Sequence, residues 1–236
     1  TFSRTTREER VALLERILAA YASHLEELAT TISSEMGAPM WLATGSQAGC
    51  GTGHVGEAIK VLRRFHFEER LGNTRVFREP VGVCALITPW NWPINQIACK
   101  VAPALATGCT MVLKPSEIAP LSGYLWTEIL HEAGVPAGVF NIVHGDKEAV
   151  DALIDEPRVV ALSFVGSTPI AEYIHTRGSA AGKRVQALGG AKNHAVILPD
   201  AGIDYASDHL VAAAFGSAGE RCMAISAAVA VGGAAD

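Results

Sequence analysis

VGVCALITPWNWP (residues 81–93) is a continuous apolar run that closes on two tryptophans, an asparagine and a proline. Similar short runs follow it, with segments of helical pattern between them: MVLKP (111–115), GVFNIVHG (138–145), VVALSFVGS (159–167), RVQALGG (184–190) and HAVILPD (194–200). Uninterrupted apolar runs are typical of strands that are buried on both faces, and strands that alternate with helices form parallel sheets. The sequence therefore predicts an α/β fold around a doubly wound, mostly parallel sheet.

The residues before this region carry a helical pattern. Residues 5–34 have apolar side chains at intervals of three and four, which predicts one long amphipathic helix. Thr5–Glu8 and Thr6–Glu9 are overlapping capping-box candidates at its start. A glycine-rich passage then leads to a second predicted helix from Glu57 to about Glu69. We therefore expect the first seventy or so residues to be helical.

The passage Gly51-Thr-Gly53-His-Val-Gly56 matches the GxGxxG pattern of dinucleotide-binding loops. That pattern binds a pyrophosphate only when a buried strand precedes it and a helix follows it. The residues upstream are polar and broken by glycine, so they do not resemble a strand. The sequence predicts a flexible connection between two helices rather than a cofactor loop.

The composition excludes several classes of protein. The chain has 236 residues, of which 49% are hydrophobic and 18% are charged, and its formal net charge is -5. Its basic residues are scattered, whereas nucleic-acid and polybasic membrane surfaces need clustered Lys and Arg. We expect neither a leader nor a membrane-spanning stretch, and the five cysteines lack the CxxC spacing of metal sites. We expect a protein of the reducing cytoplasm, without nucleic-acid partners, membrane partners or a bound metal.

Polar side chains follow three of the predicted strands, where a doubly wound sheet binds its ligands. Residues 90–92 place an asparagine between two tryptophans, which taken alone is more typical of a turn residue beside core aromatics than of a binding site. Lys114 and Glu117 suit the hydroxyls of a sugar, and they also suit an ordinary surface ion pair. Residues 166–168 (GST) open a helix, where backbone N–H groups and a hydroxyl suit an anion, although plain N-capping gives the same pattern.

Five motifs stand in a fixed order along the chain: TPWNWP (88–93), ALATGCTMVLKPSE (104–117), SFVGST (163–168), LGG (188–190) and GERC (219–222). Their order and spacing resemble the NAD(P)-dependent aldehyde dehydrogenase superfamily, and the resemblance extends over essentially the whole chain. It implies a Rossmann-like NAD-binding sheet and the oxidation of an aldehyde through a thioester on Cys222. A lone cysteine is otherwise most often a small buried hydrophobe.

The resemblance also implies roles for individual residues. Asn91 matches the side-chain donor of an oxyanion hole, which the backbone N–H of Cys222 completes. Lys100 matches a lysine of a proton relay, and it is equally consistent with a lone charge on an amphipathic helix. Lys114 and Glu117 match the residues that hold the adenosine ribose, and a carboxylate there favours NAD over NADP. The other expected cofactor contacts are Thr88, Pro89, Trp90, Ser116, Gly166, Ser167 (at the pyrophosphate), Leu188 and Gly189.

One position departs from the hydrolytic members of the superfamily. They carry a glutamate at the head of the LGG motif, where it activates water, whereas this chain has Ala187, which cannot take a proton. Residues 184–226 are most similar to methylmalonate-semialdehyde dehydrogenases, the CoA-acylating branch, so CoA is expected as a co-substrate. Residues 88–100 instead look like the hydrolytic branches. A recombined or engineered chain, joined between the SFVGST and LGG regions, would explain this disagreement.

We expect three segments: an N-terminal helical segment (1–78), a Rossmann-like NAD-binding domain (79–218) and the start of a catalytic domain that is cut short (219–236). Members of the superfamily are typically homo-oligomers, and we expect the strands through which they pair to lie outside this chain. Three interpretations stay open: a piece of an aldehyde dehydrogenase, a chain that is catalytic as it stands, and a non-catalytic NAD-binding or assembly module. The first is favoured, because a substrate tunnel needs walls that these residues do not encode.

Overall fold

A computed structural model describes residues 2–235, which form two compact units with their boundary between Leu188 and Gly189. The predicted segment limits after residues 78 and 218 stay predictions. Within residues 2–235, none of the helices combines the length and the apolar character that a passage through a bilayer requires.

The first unit begins with a layer of helices and continues with helices that alternate with strands. Its helices are α1 (Arg7–Ser23), α2 (Leu25–Met36), α3 (Met40–Leu42), α4 (Gly49–Arg64), α5 (Pro93–Ala106), α6 (Pro120–Glu132), α7 (Lys147–Asp155) and α8 (Thr168–Ala180). A π-helical turn, Ala43–Ala48, connects α3 to α4. Proline occupies the first turn of α5, α6 and α8, where its missing N–H has no helical partner to lose.

A five-stranded parallel sheet forms the centre of this unit. Two further strands, β1 (Glu68–Leu71) and β2 (Thr74–Phe77), pair with each other alone, and the sheet itself consists of β3 (Val83–Ile87), β4 (Thr110–Lys114), β5 (Phe140–Ile142), β6 (Val159–Val165) and β7 (Arg184–Leu188). The strand order is β5-β4-β3-β6-β7, and all neighbours are parallel. The predicted α/β fold with a parallel sheet is confirmed. The loops after β3 and β6 diverge, because the chain changes direction across the sheet between these strands, and such a switch point leaves a crevice.

Alternate residues of β3 belong to two different hydrophobic cores. Leu86 packs into the core that the sheet shares with α1, α2, α4, α5 and α6, together with the fully buried Trp126. Ala85 and Ile87 belong to the smaller core of the opposite face, where Ile174 of α8 is fully buried. Helices on both faces explain why the strands read as continuous apolar runs.

The predicted single helix over residues 5–34 is wrong, because the chain forms two helices that meet at His24. His24 has φ −104° and ψ 8°, outside the helical region, and its ring nitrogens lie 2.9 Å from Glu27 and 2.9 Å from Glu132. Both carboxylates raise the pKa of His24 through their hydrogen bonds, and the hydrogen bond to Glu27 has the larger effect. The break lets α1 pack against α4 and α5 while α2 packs against α6.

One of the two overlapping capping boxes exists. Thr6 Oγ1 accepts a hydrogen bond from the backbone N–H of Glu9 (3.1 Å), and the Glu9 carboxylate accepts one from the Thr6 N–H (2.7 Å). Thr5 instead donates its hydroxyl to the carbonyl of Phe2 (2.7 Å), so the Thr5–Glu8 alternative is wrong. The Thr6 box fixes the start of α1 at Arg7.

The predicted flexible connection around the GxGxxG match is also wrong, since residues 49–56 are the first turns of α4. The helix begins eight residues before Glu57 and ends at Arg64 rather than near Glu69. A Cβ at Gly51 would overlap the ring of Tyr21, which is 0% exposed. Glycine therefore lets α1 and α4 approach closely, and the motif belongs to a helix–helix contact rather than to a cofactor loop.

The expectation that the first seventy or so residues are helical is wrong for the last of them, which form a strand from Glu68. The strands β1 and β2 form an antiparallel hairpin in which Glu68 pairs with Phe77. Gly72 lies at the turn with φ 60°, a left-handed conformation that glycine adopts without strain. A glycine and an asparagine between two short runs are a hairpin signal, which the sequence offered at residues 72 and 73.

The second unit contains a parallel pair of strands and one α-helix. Its elements are β8 (Asn193–Ile197), α9 (Ile203–Phe215) and β9 (Ile225–Ala230), of which β8 was among the predicted strands. None of the described residues from 189 to 235 is buried. This unit therefore has no hydrophobic core of its own within the described chain.

Candidate functional site

A cavity of ≈ 640 Å³ lies at the carboxyl edge of the sheet in the first unit. The ends of β3, β4 and β6 form its floor, and the first turns of α7 and α8 form its rim. Eight of the predicted cofactor contacts line it together: Thr88, Pro89, Trp90, Lys114, Ser116, Glu117, Gly166 and Ser167. The convergence follows from the parallel sheet, since the loops after neighbouring strands leave at the same edge.

Lys114 and Glu117 form an ion pair at the wall of this cavity. Lys114 is the last residue of β4 and is 5% exposed, and its Nζ donates a hydrogen bond to Glu117 Oε2 at 2.7 Å. That hydrogen bond is the main cause that lowers the pKa of Glu117, whose side chain is 57% exposed. The cavity thus presents a fixed ammonium and a carboxylate whose outer face reaches solvent, a combination that suits neutral hydroxyl groups.

The loop after β6 brings a helix N-terminus to the same cavity. Ser167 is the N-cap of α8, and its hydroxyl makes no capping hydrogen bond. The first turn of a helix leaves backbone N–H groups without helical partners, and the helix dipole favours negative charge there. A Cβ at Gly166 would overlap the ring of Phe164, so only glycine lets this loop pass so close to the end of the strand. The arrangement suits an anionic group such as a phosphate.

Thr88 adds a polar group at the end of β3. It is 4% exposed, and its hydroxyl is buried without a partner among the described residues. A buried hydroxyl without a hydrogen bond costs about 1–3 kcal/mol. Because Thr88 lines the cavity, this cost favours a bound group that supplies the missing partner.

Several lining residues were not singled out by the sequence. Asp146 and Lys147 stand at the start of α7, and Tyr173 lies one turn into α8. Lys147 Nζ donates to the Tyr173 hydroxyl at 2.9 Å, and that hydroxyl donates to Asp151 at 2.7 Å. The signal available in the sequence was the Asp146-Lys147 pair directly after the β5 segment, where another strand of the same sheet ends.

Lys100 lies outside this cavity, on α5 facing the opposite side of the sheet. It is 7% exposed, and its Nζ donates to Ser163 Oγ at 2.6 Å, while Ser163 donates to Gln186 Oε1 at 2.8 Å. Burial of the ammonium lowers the pKa of Lys100. The chain of hydrogen bonds ends one residue before Ala187, where the resemblance expects a general base.

Three other predicted site residues do not line the cavity. Asn91 lies in the loop after β3, next to the lining residue Trp90. Leu188 ends β7, and its carbonyl accepts a hydrogen bond from the N–H of Gly166 (3.0 Å), which ties it to the cavity wall through the backbone. Gly189 is the first residue of the second unit. Their assigned roles stay predictions.

Cys222 is an exposed residue of the second unit, three residues before β9. Its backbone carbonyl accepts a hydrogen bond from the Asn193 side chain (2.8 Å), which connects it to β8. The preceding turn is strained, since Ser217 and Ala218 have φ 56° and 55°, in the left-handed region that glycine favours. Such conformations cost about 1–3 kcal/mol each. Arg221 secures the turn by donating to the carbonyl of Ala213 at the end of α9 (2.6 Å).

Comparison with known proteins identifies the family of this chain. The model of the aldehyde dehydrogenase family matches residues 1–236. A 3-succinoylsemialdehyde-pyridine dehydrogenase of Pseudomonas sp is 51% identical over 94% of this chain and 47% of its own length. The chain therefore spans about half the length of this relative.

Two solved structures are similar over almost the whole chain. Methylmalonate-semialdehyde dehydrogenase from Oceanimonas doudoroffii has a TM-score of 0.91 at 45% identity, covering 99% of this chain and 49% of its own. Aldehyde dehydrogenase C (C291A mutant) from Pseudomonas syringae, complexed with NAD+ and octanal, has a TM-score of 0.94 at 40% identity, covering 97% and 47%. Since the family match runs the length of the sequence and the parallel sheet agrees with these structures, this chain belongs to the aldehyde dehydrogenase family.

Proposed function

We propose that this chain is the NAD-binding part of an aldehyde dehydrogenase that oxidises its substrate through a thioester on Cys222. The observation that carries the proposal is the cavity at the carboxyl edge of the sheet, which combines the Lys114–Glu117 pair with the N-terminus of α8. Ribose hydroxyls and a pyrophosphate are the groups that these two features suit. The solved structure with NAD+ belongs to the same family and supports the choice of cofactor.

The residues of the cavity fit NAD in three respects. Glu117 would accept hydrogen bonds from ribose hydroxyls, and Lys114 would donate one. Ser167 and the backbone N–H groups of α8 would hold the pyrophosphate. Thr88 would gain the hydrogen-bond partner that its buried hydroxyl lacks. The negative charge of the Glu117 carboxylate would repel a 2′-phosphate, so NAD is favoured over NADP.

The second unit would supply the nucleophile. The Cys222 thiolate attacks the carbonyl carbon of the aldehyde, and the carbonyl oxygen becomes an oxyanion that the Asn91 side chain and the Cys222 N–H stabilise. A bound NAD would supply the hydride acceptor, and loss of the hydride would leave the acyl group as a thioester on Cys222. Lys100 is the remaining candidate in the relay, and its hydrogen bond to Ser163, which lies opposite Gln186 on the sheet, supports this role.

Ala187 determines how the thioester is resolved in this proposal. Its methyl group cannot activate water, so the acyl group passes to a thiol, for which CoA is the natural candidate. The similarity to methylmalonate-semialdehyde dehydrogenase supports a short semialdehyde acid as substrate. The other relative is named for a different semialdehyde, so the shared element of the two names is a semialdehyde.

A second candidate is an NAD-binding or assembly module without turnover. It is favoured by one observation: the described residues of the second unit include none that is buried, so Cys222 lies on a unit without a core. Assembly into a homo-oligomer and a cytoplasmic location complete the proposal and rest on the family alone. A recombined origin rests only on the sequence difference between the two halves.

The test is the appearance of NADH after the chain is mixed with NAD and methylmalonate semialdehyde, with and without CoA. A burst of one equivalent per chain that turns over only with CoA supports the acylating enzyme. Ala187→Glu should then add turnover without CoA, and no gain would contradict the role given to Ala187. NAD binding without any NADH would instead support the non-catalytic module, and failure to bind NAD would refute both candidates.

A further inference from the structure

The start of α6 is held by a carboxylate from another helix. Its N-cap is Ala119, whose side chain cannot accept a hydrogen bond, and alanine is a poor N-cap for that reason. Glu35, in the last turn of α2, supplies the acceptor instead. The backbone N–H groups of Leu121 and Ser122 donate to its two carboxylate oxygens, the second of them at 2.8 Å, and the Ser122 hydroxyl donates to the same carboxylate at 2.6 Å.

The place of Glu35 within α2 is unfavourable when that helix is considered alone. The last turn of a helix carries the negative end of its dipole, which disfavours an acidic side chain. α2 ends at Met36, and its C-cap Gly37 has φ 72°, so Glu35 lies in this last turn. The positive end of the α6 dipole offsets the disadvantage, because the carboxylate meets the N–H groups there. The contact with α6 therefore accounts for a glutamate at this position, whereas the local sequence of α2 does not.

The segment 115–119 connects this contact to the cavity at the carboxyl edge of the sheet. It carries Ser116 and Glu117, which both line the cavity. Two hydrogen bonds stiffen it: the Ala119 N–H donates to the carbonyl of Ser116 (3.1 Å), and the Ile118 N–H donates to Ser116 Oγ (3.3 Å). The segment runs directly from the end of β4 to the first residue of α6. The position of the first turn of α6 therefore sets the position of the Glu117 carboxylate.

The helix that carries Glu35 is itself fixed against α6. Ile32 of α2 and Trp126 of α6 are both 0% exposed and belong to the same hydrophobic core. At the opposite end of the two helices, the ring of His24 lies 2.9 Å from the carboxylate of Glu132. Glu35 thus stands on a packed support, and its carboxylate holds the start of α6 in one place.

We propose that Glu35 is a positioning residue of the site that binds the adenosine ribose. Its carboxylate fixes the first turn of α6 and, through it, the segment that carries Glu117. Glu35 is not one of the residues that line the cavity, so it acts through Glu117 rather than on the cofactor. The proposal rests on the proposed function and deepens it. Loss of the Glu35 carboxylate should weaken the recognition of ribose hydroxyls and leave the phosphate contact at α8 unchanged.

The experiment compares the affinities of the full chain for AMP and 2′-deoxy-AMP by calorimetry, because these nucleotides differ in one ribose hydroxyl alone. The parent chain should bind AMP about 10-fold more tightly, the effect of one hydrogen bond to a charged group. Glu35→Gln keeps only one acceptor oxygen for the two N–H groups and should reduce this ratio to about threefold or less. A variant that is merely less stable loses affinity for both nucleotides by the same factor, so its ratio stays the same.

Three further variants sharpen the test, and circular dichroism checks that each is folded. Ser122→Ala removes only the hydroxyl bond to Glu35 and should lower the ratio in the same direction but by less. Glu26→Gln makes the same chemical change on the exposed first turn of α2 and should leave the ratio unchanged. In a chain that already carries Glu117→Gln, the addition of Glu35→Gln should not alter the ratio, because Glu35 acts through Glu117.

The possible outcomes separate this proposal from the proposed function. A parent chain that binds both nucleotides equally would refute the ribose site, and with it the role of Glu35. A parent chain that discriminates between them, with the same ratio in folded Glu35→Gln, would overturn the role of Glu35 alone, and a further loss of the ratio in the double variant would do so too. If Glu35→Gln does not fold, an unchanged ratio in Ser122→Ala would overturn the proposal.

Discussion

Gly51 and Gly53 lie two residues apart in α4 and allow helix propensity to be separated from close packing. In a helix interior, alanine is favoured over glycine by about 0.8–1.0 kcal/mol. A Cβ at Gly53 has nothing within 4 Å, so Gly53→Ala should stabilise the chain by that amount. A Cβ at Gly51 overlaps two ring atoms and the hydroxyl oxygen of the fully buried Tyr21, and overpacking of this kind costs about 1–3 kcal/mol.

The overlap is deep and the ring is held, which places the cost at the upper end of that range. The Tyr21 hydroxyl donates to the carbonyl of Ala48, and its ring packs edge-on against Trp126 with centroids 5.3 Å apart. Gly51→Ala should therefore destabilise the chain by about 2 kcal/mol after its gain in propensity. The two variants, which differ only in the position of one methyl group, should differ by about 3 kcal/mol.

Urea unfolding followed by far-ultraviolet circular dichroism measures this difference directly. With a slope of about 2 kcal/mol/M, the two midpoints should lie about 1.5 M apart, with the parent chain between them. Equal effects of the two substitutions would refute the explanation that close approach of α1 requires glycine at position 51. A loss of stability in Gly53→Ala would contradict the helical assignment of the whole passage.

Three further predictions concern the site. Cys222→Ser should abolish the covalent aldehyde adduct seen by mass spectrometry while NAD affinity is retained; loss of both would make Cys222 structural. Glu117→Gln should narrow the preference for NAD over NADP by about 30-fold, because it removes a repulsion of about 1 kcal/mol for each of the nearly two negative charges of the 2′-phosphate. Calorimetry measures the two affinities, and Glu128→Gln, on the exposed face of α6, is the control variant. An unchanged preference would exclude a contact between Glu117 and the ribose. Lys100→Met should stabilise the chain by about 1 kcal/mol at neutral pH. Burial lowers the pKa of Lys100 in the folded state below 10.5, so the free energy of unfolding of the parent chain should rise as the pH approaches that value. The extra stability of the Met variant over the parent chain should shrink over the same pH range. A difference in stability that does not change with pH would refute the burial argument.

The strands of the central sheet could be predicted because each is buried on both faces, a condition that leaves a continuous apolar run in the sequence. The helix boundaries could not, because they depend on packing between elements. The break at His24 is set by partners on α2 and α6, one of them distant in sequence. From the sequence alone, glycines 51, 53 and 56 are typical of a loop. The need for glycine at position 51 within a helix becomes clear only from the ring of Tyr21 on the neighbouring helix α1.

The cavity at the carboxyl edge of the sheet was predictable to a similar extent. Residues directly after β3, β4 and β6 were identified, since parallel strands deliver their following loops to one edge. Lys147 and Tyr173 were missed because they lie on the helices that form the rim of the cavity. The position of that rim depends on the strand order, which the sequence does not reveal.

The absence of buried residues among the described part of the second unit has a consequence for the time scale of its motions. Amide hydrogens exchange with solvent through local opening, and the free energy of that opening follows the buried contacts of the element. A parallel pair such as β8 and β9, without a core, should open at almost no cost, whereas β3 and β6 should open only when the whole unit unfolds. The amide hydrogens near the exposed Cys222 should therefore exchange much faster than those of the central sheet. A molecule that packs against residues 193–230 and buries part of them should slow this exchange.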